Sequence, residues 1–282
     1  MIATADAHVH IFPEGFRGLY GASPAGGSEL LVYERVLAHC GIERALVVGY
    51  EGDQRYRSNN GAVLALAAHR PWMAPLAYLL VTPPPSVQSL REFFARGAVG
   101  YALYLGDRAE ARAFDQWPGT IFSELCAQSA LISINAPPGS TTELRSSVEA
   151  MGEGCTVLFS HLGLPGRYLA TPTLVEARDR LAPLLNLARL PHVAVKVSGL
   201  YAVSEPPQDF PHDAAGPFIL VLLESFGPSR MLWGSDFPVA LDFVSFVQTT
   251  EIRALATCSQ REREAVMGGN LLALLSAERR QS

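Results

Sequence analysis

The sequence Asp6-Ala7-His8-Val9-His10 stands in the first of eight short apolar segments that recur along the chain. Side chains two residues apart point to the same side of a β-strand, so His8 and His10 are predicted to face one way, and Ala7 and Val9 the other. The Cα atoms of the two histidines then lie about 7 Å apart. Two imidazoles can therefore converge on one metal ion or one water molecule, although two polar residues at a strand end are the alternative interpretation.

Helical stretches separate the eight apolar segments, whose first residues lie about 25 to 40 positions apart. The predicted strands are Ala5–Ile11, Arg44–Tyr50, Ala74–Leu80, Val99–Leu105, Leu131–Asn135, Thr156–His161, Val193–Ser198 and Met231–Asp236. A strand, a crossover helix and two loops need about this length. Eight such units predict a (β/α)8 TIM barrel that occupies residues 1–282 as a single domain. An open doubly wound sheet is the alternative, but its G-x-G-x-x-G fingerprint and a P-loop are absent from the sequence.

Capping and turn residues mark the ends of several helices between the strands. Ser28 is predicted to cap a helix that Gly41 ends. Thr171-Pro172 is predicted to open another helix, with proline at its first position. The apolar run from Phe218 to Phe226 predicts a helix that stops at Gly227-Pro228.

Composition and charge restrict the classes of protein to which the chain can belong. The net charge of −5 is spread along the chain without basic clusters, so no nucleic-acid interface is predicted. The first residues lack the basic and apolar regions of a secretory signal. The longest charge-free apolar stretch, Pro71–Leu90, contains five prolines, so no membrane span is predicted. The four cysteines are far apart, as is typical of reduced thiols in a cytoplasmic protein; nothing indicates the oligomeric state.

Two further polar residues end predicted strands. His161 closes the sixth strand and Asp236 closes the eighth. Taken singly, a rim histidine and a helix-capping aspartate are the simpler interpretations. Together with His8 and His10, however, both fall at carboxyl ends of strands, which converge on the active face of a barrel. Three imidazoles and a carboxylate suit Zn or a similar divalent ion, and they equally suit the activation of a water molecule.

Lys196, the only lysine in the sequence, lies in the apolar stretch Val193–Ser198. Alternation along this strand places Lys196 on the face opposite the valines, which predicts that it points into the barrel. A lysine is seldom fully buried unless it is paired. We therefore expect a carboxylate partner, Asp6 or Asp236, and both a structural ion pair and a catalytic role remain open.

Other chemistries have less support. The sequence has no G-x-S-x-G elbow of a serine hydrolase, and no cysteine lies in a motif typical of a nucleophile. His39, His69 and His192 fall in helices or before a strand and are interpreted as structural. His212 lies in the long loop after the seventh strand, on the predicted active face, and is a candidate substrate contact.

Four segments carry a resemblance to a known family, and they are Asp6-Ala7-His8-Val9-His10, Ser160-His161-Leu162-Gly163-Leu164-Pro165, Val195-Lys196-Val197-Ser198-Gly199-Leu200 and Leu232-Trp233-Gly234-Ser235-Asp236-Phe237-Pro238. With Gly269-Asn270 before an apolar helix, they resemble the amidohydrolase-related family often called amidohydrolase 2. More narrowly, they look like its lactonase branch, which includes 2-pyrone-4,6-dicarboxylate lactonase and sugar-acid lactonases. The resemblance spans nearly the whole chain, in the right order.

The resemblance implies a distorted TIM barrel with a hydrolytic site formed by His8, His10, His161 and Asp236. These residues would hold one divalent metal, Zn or Mn, or would act without metal, because lactonases of this type occur in both forms. Asp236 is the expected general base.

Two departures from the family pattern bear on the substrate. Where metal-binding decarboxylases of the wider family carry a histidine at the end of the fifth strand, this chain has Asn135. The fourth strand often carries an arginine in such lactonases, but the matching stretch here, Gly100-Tyr101-Ala102-Leu103-Tyr104, has none and closes with Tyr104, which argues against a dicarboxylate substrate. Both residues are candidate substrate contacts together with Lys196. So are three arginines of nearby loops, namely Arg55, Arg108 and Arg167.

The sequence therefore predicts an enzyme that opens a lactone, or a related small carbonyl compound, with activated water. A non-oxidative decarboxylase of the same wider family is the second hypothesis, although Asn135 would cost it a metal ligand. A barrel that binds a small ligand at a degenerate site is the third.

Overall fold

Eight parallel strands pair in sequence order into one sheet within residues 3–278, which are the residues that the computed structural model describes. The strands are β1 (Ala5–Val9), β2 (Arg44–Val48), β3 (Met73–Tyr78), β4 (Gly100–Tyr104), β5 (Leu131–Asn135), β6 (Thr156–Phe159), β7 (Val193–Val197) and β8 (Met231–Trp233). A bridge between Val9 and Phe237 joins the first strand to the chain beyond the last. The predicted TIM barrel is thus confirmed.

Helices follow the strands on the outside of the barrel. The α-helices are α1 (Glu29–Cys40), α2 (Asn59–Ala67), α3 (Val87–Ala95), α4 (Arg108–Asp115), α5 (Gly119–Ala127), α6 (Pro138–Thr141), α7 (Arg145–Met151), α8 (Leu174–Leu185), α9 (Gly216–Phe226), α10 (Phe246–Thr249), α11 (Gln260–Glu264) and α12 (Asn270–Glu278). Ser28 and Gly41 cap α1 as predicted. The start predicted at Thr171-Pro172 is wrong, because Thr173 forms a capping box with Glu176 and α8 begins after it.

The strand β7 alternates between two apolar clusters. Val193, Val195 and Val197 belong to the cluster shared with the outer helices, whereas Ala194 belongs to the cluster in the barrel interior. Lys196 is completely buried. Its predicted inward orientation therefore agrees with the packing of its own strand.

The strand β1 does not alternate as predicted. Ala7 packs in the interior cluster, whereas Val9 packs in the outer cluster. The register of β1 against β2 shifts between Asp6 and Val9. A bulge of this kind places two successive side chains on one face, so the expectation that Ala7 and Val9 share a face is wrong.

The C-terminal helix α12 covers the lower end of the barrel. Its Leu271 and Leu275 are buried in the interior cluster with Ala5 of β1 and Leu232 of β8. Because apolar side chains fill this end, a polar site can form only at the opposite end, where the strands finish. Within residues 3–278, no helix combines the length and the apolar composition that crossing a membrane requires.

Candidate active site

The structure brings His8, His10, His161 and Asp236 together at the carboxyl ends of the strands. Nε2 of His8 lies 3.2 Å from Nε2 of His10 and 3.7 Å from Oδ1 of Asp236. The distance from Nε2 of His10 to the same oxygen is 4.0 Å, as is the distance from Nδ1 of His161 to Oδ2 of Asp236. All four side chains are buried, so a reacting group here would be largely screened from bulk water.

Sharp backbone turns aim two of these side chains into the barrel mouth. His161 has φ of +52° and Asp236 has φ of +59°, a left-handed conformation that costs a non-glycine residue roughly 1–2 kcal/mol. Strain of this kind persists where the surrounding structure enforces it, and it is common at functional sites. It also explains why β6 and β8 end before the residues at which the sequence predicts their ends.

Two glycines make room for the histidines. A Cβ atom on Gly199 would lie 2.5 Å from Nδ1 of His161, and one on Gly234 would lie 2.7 Å from Cβ of His8. Neither glycine was predicted to matter for the site. A signal for them was present in the sequence. Gly199 directly follows Ser198, Gly234 lies two residues before Asp236, and both of these polar residues follow a strand.

Burial governs the protonation of the cluster. It lowers the pKa of His10 to about 4 and that of His161 to about 3. The pKa of His8 is lowered well below its ordinary value, by burial and then by the charge of Lys196. Burial raises the pKa of Asp236 to about 6. At neutral pH the site therefore holds three neutral imidazoles beside an ionised carboxylate.

Tyr201 contacts the carboxylate from the loop after β7. Its hydroxyl group donates a hydrogen bond to Oδ2 of Asp236 at 2.6 Å, and its ring stacks on Phe243 with centroids 4.6 Å apart. The hydrogen bond favours the charged form of Asp236 and opposes the effect of burial on its pKa. Tyr201 was not predicted from the sequence, because a tyrosine in a loop carries no periodic signal.

Lys196 lies beneath the cluster without the predicted carboxylate partner. Its Nζ donates to Oγ of Ser133 at 2.7 Å and lies 3.4 Å from Nδ1 of His8. Among the described residues, no carboxylate forms an ion pair with it. Burial lowers its pKa to about 7, and the charges of Asp6 and Asp236 oppose that shift.

Asp6 is engaged elsewhere, which corrects the expected pairing. Its Oδ1 accepts the backbone N–H groups of His8 and Ser235, and its Oδ2 accepts the hydroxyl group of Tyr33 at 2.9 Å. These contacts tie β1 to the end of β8 and to α1. The carboxylate thus has a structural role at the seam of the barrel.

Three tyrosines form one side of the barrel mouth, and we call Tyr50, Tyr78 and Tyr104 the tyrosine wall. The ring of Tyr104 lies 4.9 Å from that of Tyr50 and 5.8 Å from that of Tyr78. Within residues 3–278, none of the three hydroxyl groups has a hydrogen-bond partner. Tyr104 was predicted as a substrate contact, whereas Tyr50 and Tyr78 were missed.

Asn135 ends β5, where it is half-buried. Tyr104 pairs with it in the register of β4 and β5. In the described part of the chain, its side-chain amide also lacks a hydrogen-bond partner. Its predicted contact with substrate stays a prediction.

The three arginines predicted as substrate contacts are held by surface carboxylates. Nε of Arg108 donates to Glu143 at 2.7 Å, Nη1 of Arg167 donates to Glu205 at 3.4 Å, and Arg55 lies 3.9 Å from Asp53. Their side chains are 59%, 54% and 42% exposed, respectively. They point to solvent, and their role in substrate binding stays a prediction.

His212 is buried in the loop after β7. Nδ1 of His212 lies 3.2 Å from Oγ of Ser204, and its Nε2 has no partner among the described residues. A cavity of about 20 Å³ borders both His212 and Tyr201, which is room for one water molecule. A contact between His212 and substrate also stays a prediction.

The cluster could hold a metal ion. Ligand atoms of His8, His161 and Asp236 all lie within 4.8 Å of one another. The Nε2–Nε2 distance of 3.2 Å between His8 and His10 is close to the spacing of about 3.3 Å that two nitrogen ligands have on a tetrahedral zinc ion. The donor set and its burial therefore fit a divalent ion.

Comparison with known proteins agrees with this geometry. A family model described as amidohydrolase matches residues 5–276. The chain belongs to the amidohydrolase family. This is the family that the strand-end motifs of the chain resemble.

This amidohydrolase resembles a lactonase in sequence and two solved structures in fold. It is 36% identical to an L-fucono-1,5-lactonase of Burkholderia multivorans over 101 residues, which are 31% of this chain and 32% of that protein. The match thus spans about a third of the relative's length. A B. multivorans amidohydrolase with bound Zn superposes with a TM-score of 0.75 and 21% identity, covering 97% of this chain and 99% of that one. A putative 2-pyrone-4,6-dicarboxylic acid hydrolase from Pseudomonas putida gives a TM-score of 0.71 at 21% identity, covering 98% of each chain.

Proposed function

We propose that this amidohydrolase opens the ring of a lactone by hydrolysis. The observation that carries the proposal is the position of Asp236, an ionisable carboxylate buried among three neutral imidazoles, with Oδ1 3.7 Å from Nε2 of His8. Such a carboxylate can serve as a general base for a water molecule held by the histidines. The partial match to an L-fucono-1,5-lactonase supports the same reaction.

The proposed reaction assigns one task to each group. Oδ1 of Asp236 accepts a proton from water, and the oxygen of that water forms a bond to the ring carbonyl carbon. The imidazoles of His8, His10 and His161 hold the water and the carbonyl oxygen. The bond from the carbonyl carbon to the ring oxygen then breaks, and the proton passes to the departing oxygen. The product is an open-chain hydroxy acid.

A divalent ion, Zn or Mn, is part of the proposal, with a metal-free enzyme as its alternative. His8, His10, His161 and Asp236 would hold the ion. When bound, such an ion lowers the pKa of a water ligand and polarises a carbonyl group. The ligand set supports this assignment, and the Zn in the related amidohydrolase structure agrees with it.

The chemistry of the mouth favours an uncharged, hydroxylated lactone over a dicarboxylate. The tyrosine wall offers hydroxyl groups and ring faces but no positive charge. The pKa of Tyr78 is raised mainly by burial, then by Tyr50, and then by the negative charges of Glu110 and Glu51. An anionic substrate would meet these acids, whereas the nearby arginines Arg55 and Arg108 are paired at the surface.

The remaining parts of the proposal concern the whole chain. We propose a single-domain cytoplasmic enzyme with a small-molecule substrate and no nucleic-acid partner. A decarboxylase is disfavoured because Asn135 stands where that reaction would need another metal ligand. A binding protein without turnover is disfavoured because the base and all three imidazoles are present.

A hydrolysis screen tests the proposal. Sugar-acid lactones, muconate-type lactones and 2-pyrone-4,6-dicarboxylate are offered to the chelator-treated protein, with and without Zn or Mn, and acid release is followed with a pH indicator. We expect neutral sugar-acid lactones to be opened fastest. Release of CO2 from an aromatic acid without lactone opening would favour the decarboxylase, and binding without turnover would favour the degenerate site.

A further inference from the structure

The tyrosine wall continues three rows of side chains that point into the barrel. Residues two or four positions before the wall tyrosines lie in the interior cluster, and they are Leu46, Val48, Ala74, Leu76 and Ala102. Side chains two residues apart share a face of a strand, so the wall stands above this cluster. Tyr104 packs against the cluster, and the ring of Tyr50 lies 4.9 Å from that of Tyr104. All three tyrosines are half-buried, so their hydroxyl groups, which lack partners within residues 3–278, are available to a molecule in the mouth.

Asn60, in the first turn of α2, holds the backbone of Tyr78. Its Oδ1 accepts the N–H group of Tyr78 at 2.7 Å, and its Nδ2 donates to the carbonyl oxygen of Tyr78 at 2.9 Å. A neighbouring strand would supply one acceptor and one donor in the same way. The register of β2 and β3 pairs Val48 with Leu76, so residue 50 would lie beside Tyr78 if β2 did not end at Val48. The side-chain amide of Asn60 therefore takes the place of the missing strand.

Asn59 links the wall to the segment that carries His10. Its Oδ1 accepts the N–H group of Tyr50 at 3.0 Å, and its Nδ2 donates to the carbonyl oxygen of Ile11 at 2.8 Å. An N–H group only donates and a carbonyl oxygen only accepts, so these partners fix the orientation of the amide. Both asparagines are buried. Together they hold two wall tyrosines at a defined place relative to the histidine cluster.

The space around Asn60 is matched to this task. A Cβ atom on Gly49 would lie 2.6 Å from Oδ1 of Asn60 and 2.9 Å from the carbonyl oxygen of Leu76, so glycine leaves the room that the amide needs. An aspartate at position 60 would lose the donor, and a leucine would lose both the donor and the acceptor. The residue type is therefore set by the two backbone groups of Tyr78.

We propose that Asn59 and Asn60 are positioning residues that hold the tyrosine wall as the surface which binds the ring hydroxyl groups of an uncharged lactone. The wall then selects the substrate, whereas the histidines and Asp236 carry the reaction. Tyrosine suits this task because its ring packs on apolar C–H groups and its hydroxyl group both donates and accepts. The inference rests on the proposed function in taking the barrel mouth as the substrate site.

Binding of unreactive substrate analogues tests the proposal. D-Glucono-1,5-lactam and D-galactono-1,5-lactam carry ring hydroxyl groups, δ-valerolactam carries none, and their amide bonds resist hydrolysis far better than a lactone ester. Dissociation constants are measured by ligand-observed NMR for the chelator-treated parent, Asn60→Ala, Tyr78→Phe and the double variant. The parent should bind the better of the two hydroxylated lactams at least about fivefold more tightly than δ-valerolactam, the scale of one neutral hydrogen bond.

The effects of the two substitutions should not add, because Asn60 acts through Tyr78. Each single variant should lower the affinity for the hydroxylated lactam about fivefold or more, and the double variant should lose no more than the weaker-binding single variant. Affinity for δ-valerolactam should stay the same. A residue that only stabilises the fold would weaken both kinds of lactam alike. Losses that multiply in the double variant, or that are equal for both kinds of lactam, overturn the proposal.

Asn270→Ala is the matched control. Asn270 is half-buried, and its Nδ2 donates to the carbonyl oxygens of Pro228 and Met231, each at 2.8 Å. Its loss also leaves backbone groups without a partner, but at the amino end of β8. We expect Asn270→Ala and Asn60→Ala both to lower the melting temperature, and only Asn60→Ala to lower the preference for the hydroxylated lactam. An equal loss of preference in the control would overturn the proposal.

A second cycle keeps the test decisive if Asn60→Ala fails to fold. Asn59→Ala and Tyr50→Phe form the equivalent pair, with the same expectations. The lactams need no turnover, so this test and the lactone screen give separate answers. Preference for the hydroxylated lactam without the opening of any lactone would support the role of the wall and reject the proposed reaction. Lactone opening with equal binding of both kinds of lactam would overturn the role of the wall alone.

Discussion

The hydroxyl group of Tyr201 lies 2.6 Å from Oδ2 of Asp236, while Oδ1 of the same carboxylate faces the imidazole of His8 at 3.7 Å. The two oxygens thus have different tasks. One is held by a neutral donor that favours the charged carboxylate, and the other is the oxygen that we propose accepts a proton. This difference between the two oxygens leads to predictions about how the activity of the enzyme depends on pH.

Removal of the Tyr201 hydroxyl should move the activity to higher pH. In Tyr201→Phe, burial still raises the pKa of Asp236, but the hydrogen bond that opposes it is gone. The acid limb of kcat/KM should therefore shift upward, and activity at neutral pH should fall roughly tenfold, the scale of one hydrogen bond to a charged group. Tyr101→Phe is the control, since it loses a buried hydroxyl bond to Leu90 outside the site. A pH profile that is unchanged in Tyr201→Phe would contradict the assignment.

The parent enzyme should lose activity on mild acidification. The proposed base, Asp236, can act only when it is ionised, and burial raises its pKa to about 6. The value of kcat/KM should rise with pH through about 6 and then level. The sign follows from the raised pKa, because a carboxyl group with an ordinary pKa of 3.8 would be ionised well before that. A midpoint near the ordinary value, measured with a confirmed lactone, would argue against Asp236 as the base.

Substitution of the proposed base should abolish most turnover and keep the fold. Asp236→Asn is nearly isosteric, and asparagine tolerates the left-handed φ of +59° at this position. We expect turnover to fall by at least ~10², with an unchanged circular dichroism spectrum. The control is Asp213→Asn, which breaks an exposed pair with Arg253. Near-parental turnover in folded Asp236→Asn would remove the residue from the mechanism, whereas failure to fold would indicate that its charge mainly balances Lys196.

A methyl group at position 199 should displace His161. In Gly199→Ala the new Cβ would lie 2.5 Å from Nδ1 of His161, and the φ of +62° adds a cost of roughly 1–2 kcal/mol. Activity should fall at least tenfold, the factor that about 1.4 kcal/mol of lost transition-state stabilisation would produce. Gly41→Ala shares the left-handed conformation at the end of α1. We therefore expect both variants to lower the melting temperature, but only Gly199→Ala to lower kcat.

The fold could be predicted because its signal is local. Each β/α unit repeats an apolar segment and a capped helix, and this pattern can be recognised without knowing which strands pair. The bulge in β1 could not be predicted, because the shift between Asp6 and Val9 exists only in the pairing with β2. The ends of β6 and β8 were placed too late, since the left-handed turns at His161 and Asp236 are backbone features that residue types do not specify.

The convergence of side chains in the candidate site could be predicted where those side chains lie at the ends of strands. His8, His10, His161 and Asp236 share a position relative to strand ends, and the barrel brings such positions together. Tyr201 belongs to a loop, and its contact with Asp236 depends on a path that the sequence does not reveal. Asp6 was predicted as a partner of Lys196 because of its charge. In the structure, the carboxylate of Asp6 instead accepts a hydrogen bond from Tyr33, a residue of a helix.

The burial of Lys196 makes its amine a built-in reporter of barrel opening. Lys196 is the only lysine in the sequence, and its side chain has no exposed surface. No lysine of the folded molecule is therefore accessible to an acylating reagent. Lysine acylation in excess reagent can proceed only when the barrel opens far enough to expose this amine. The mass gained at Lys196 over time would therefore count opening events, and it would do so without a mutation, a denaturant or an optical probe.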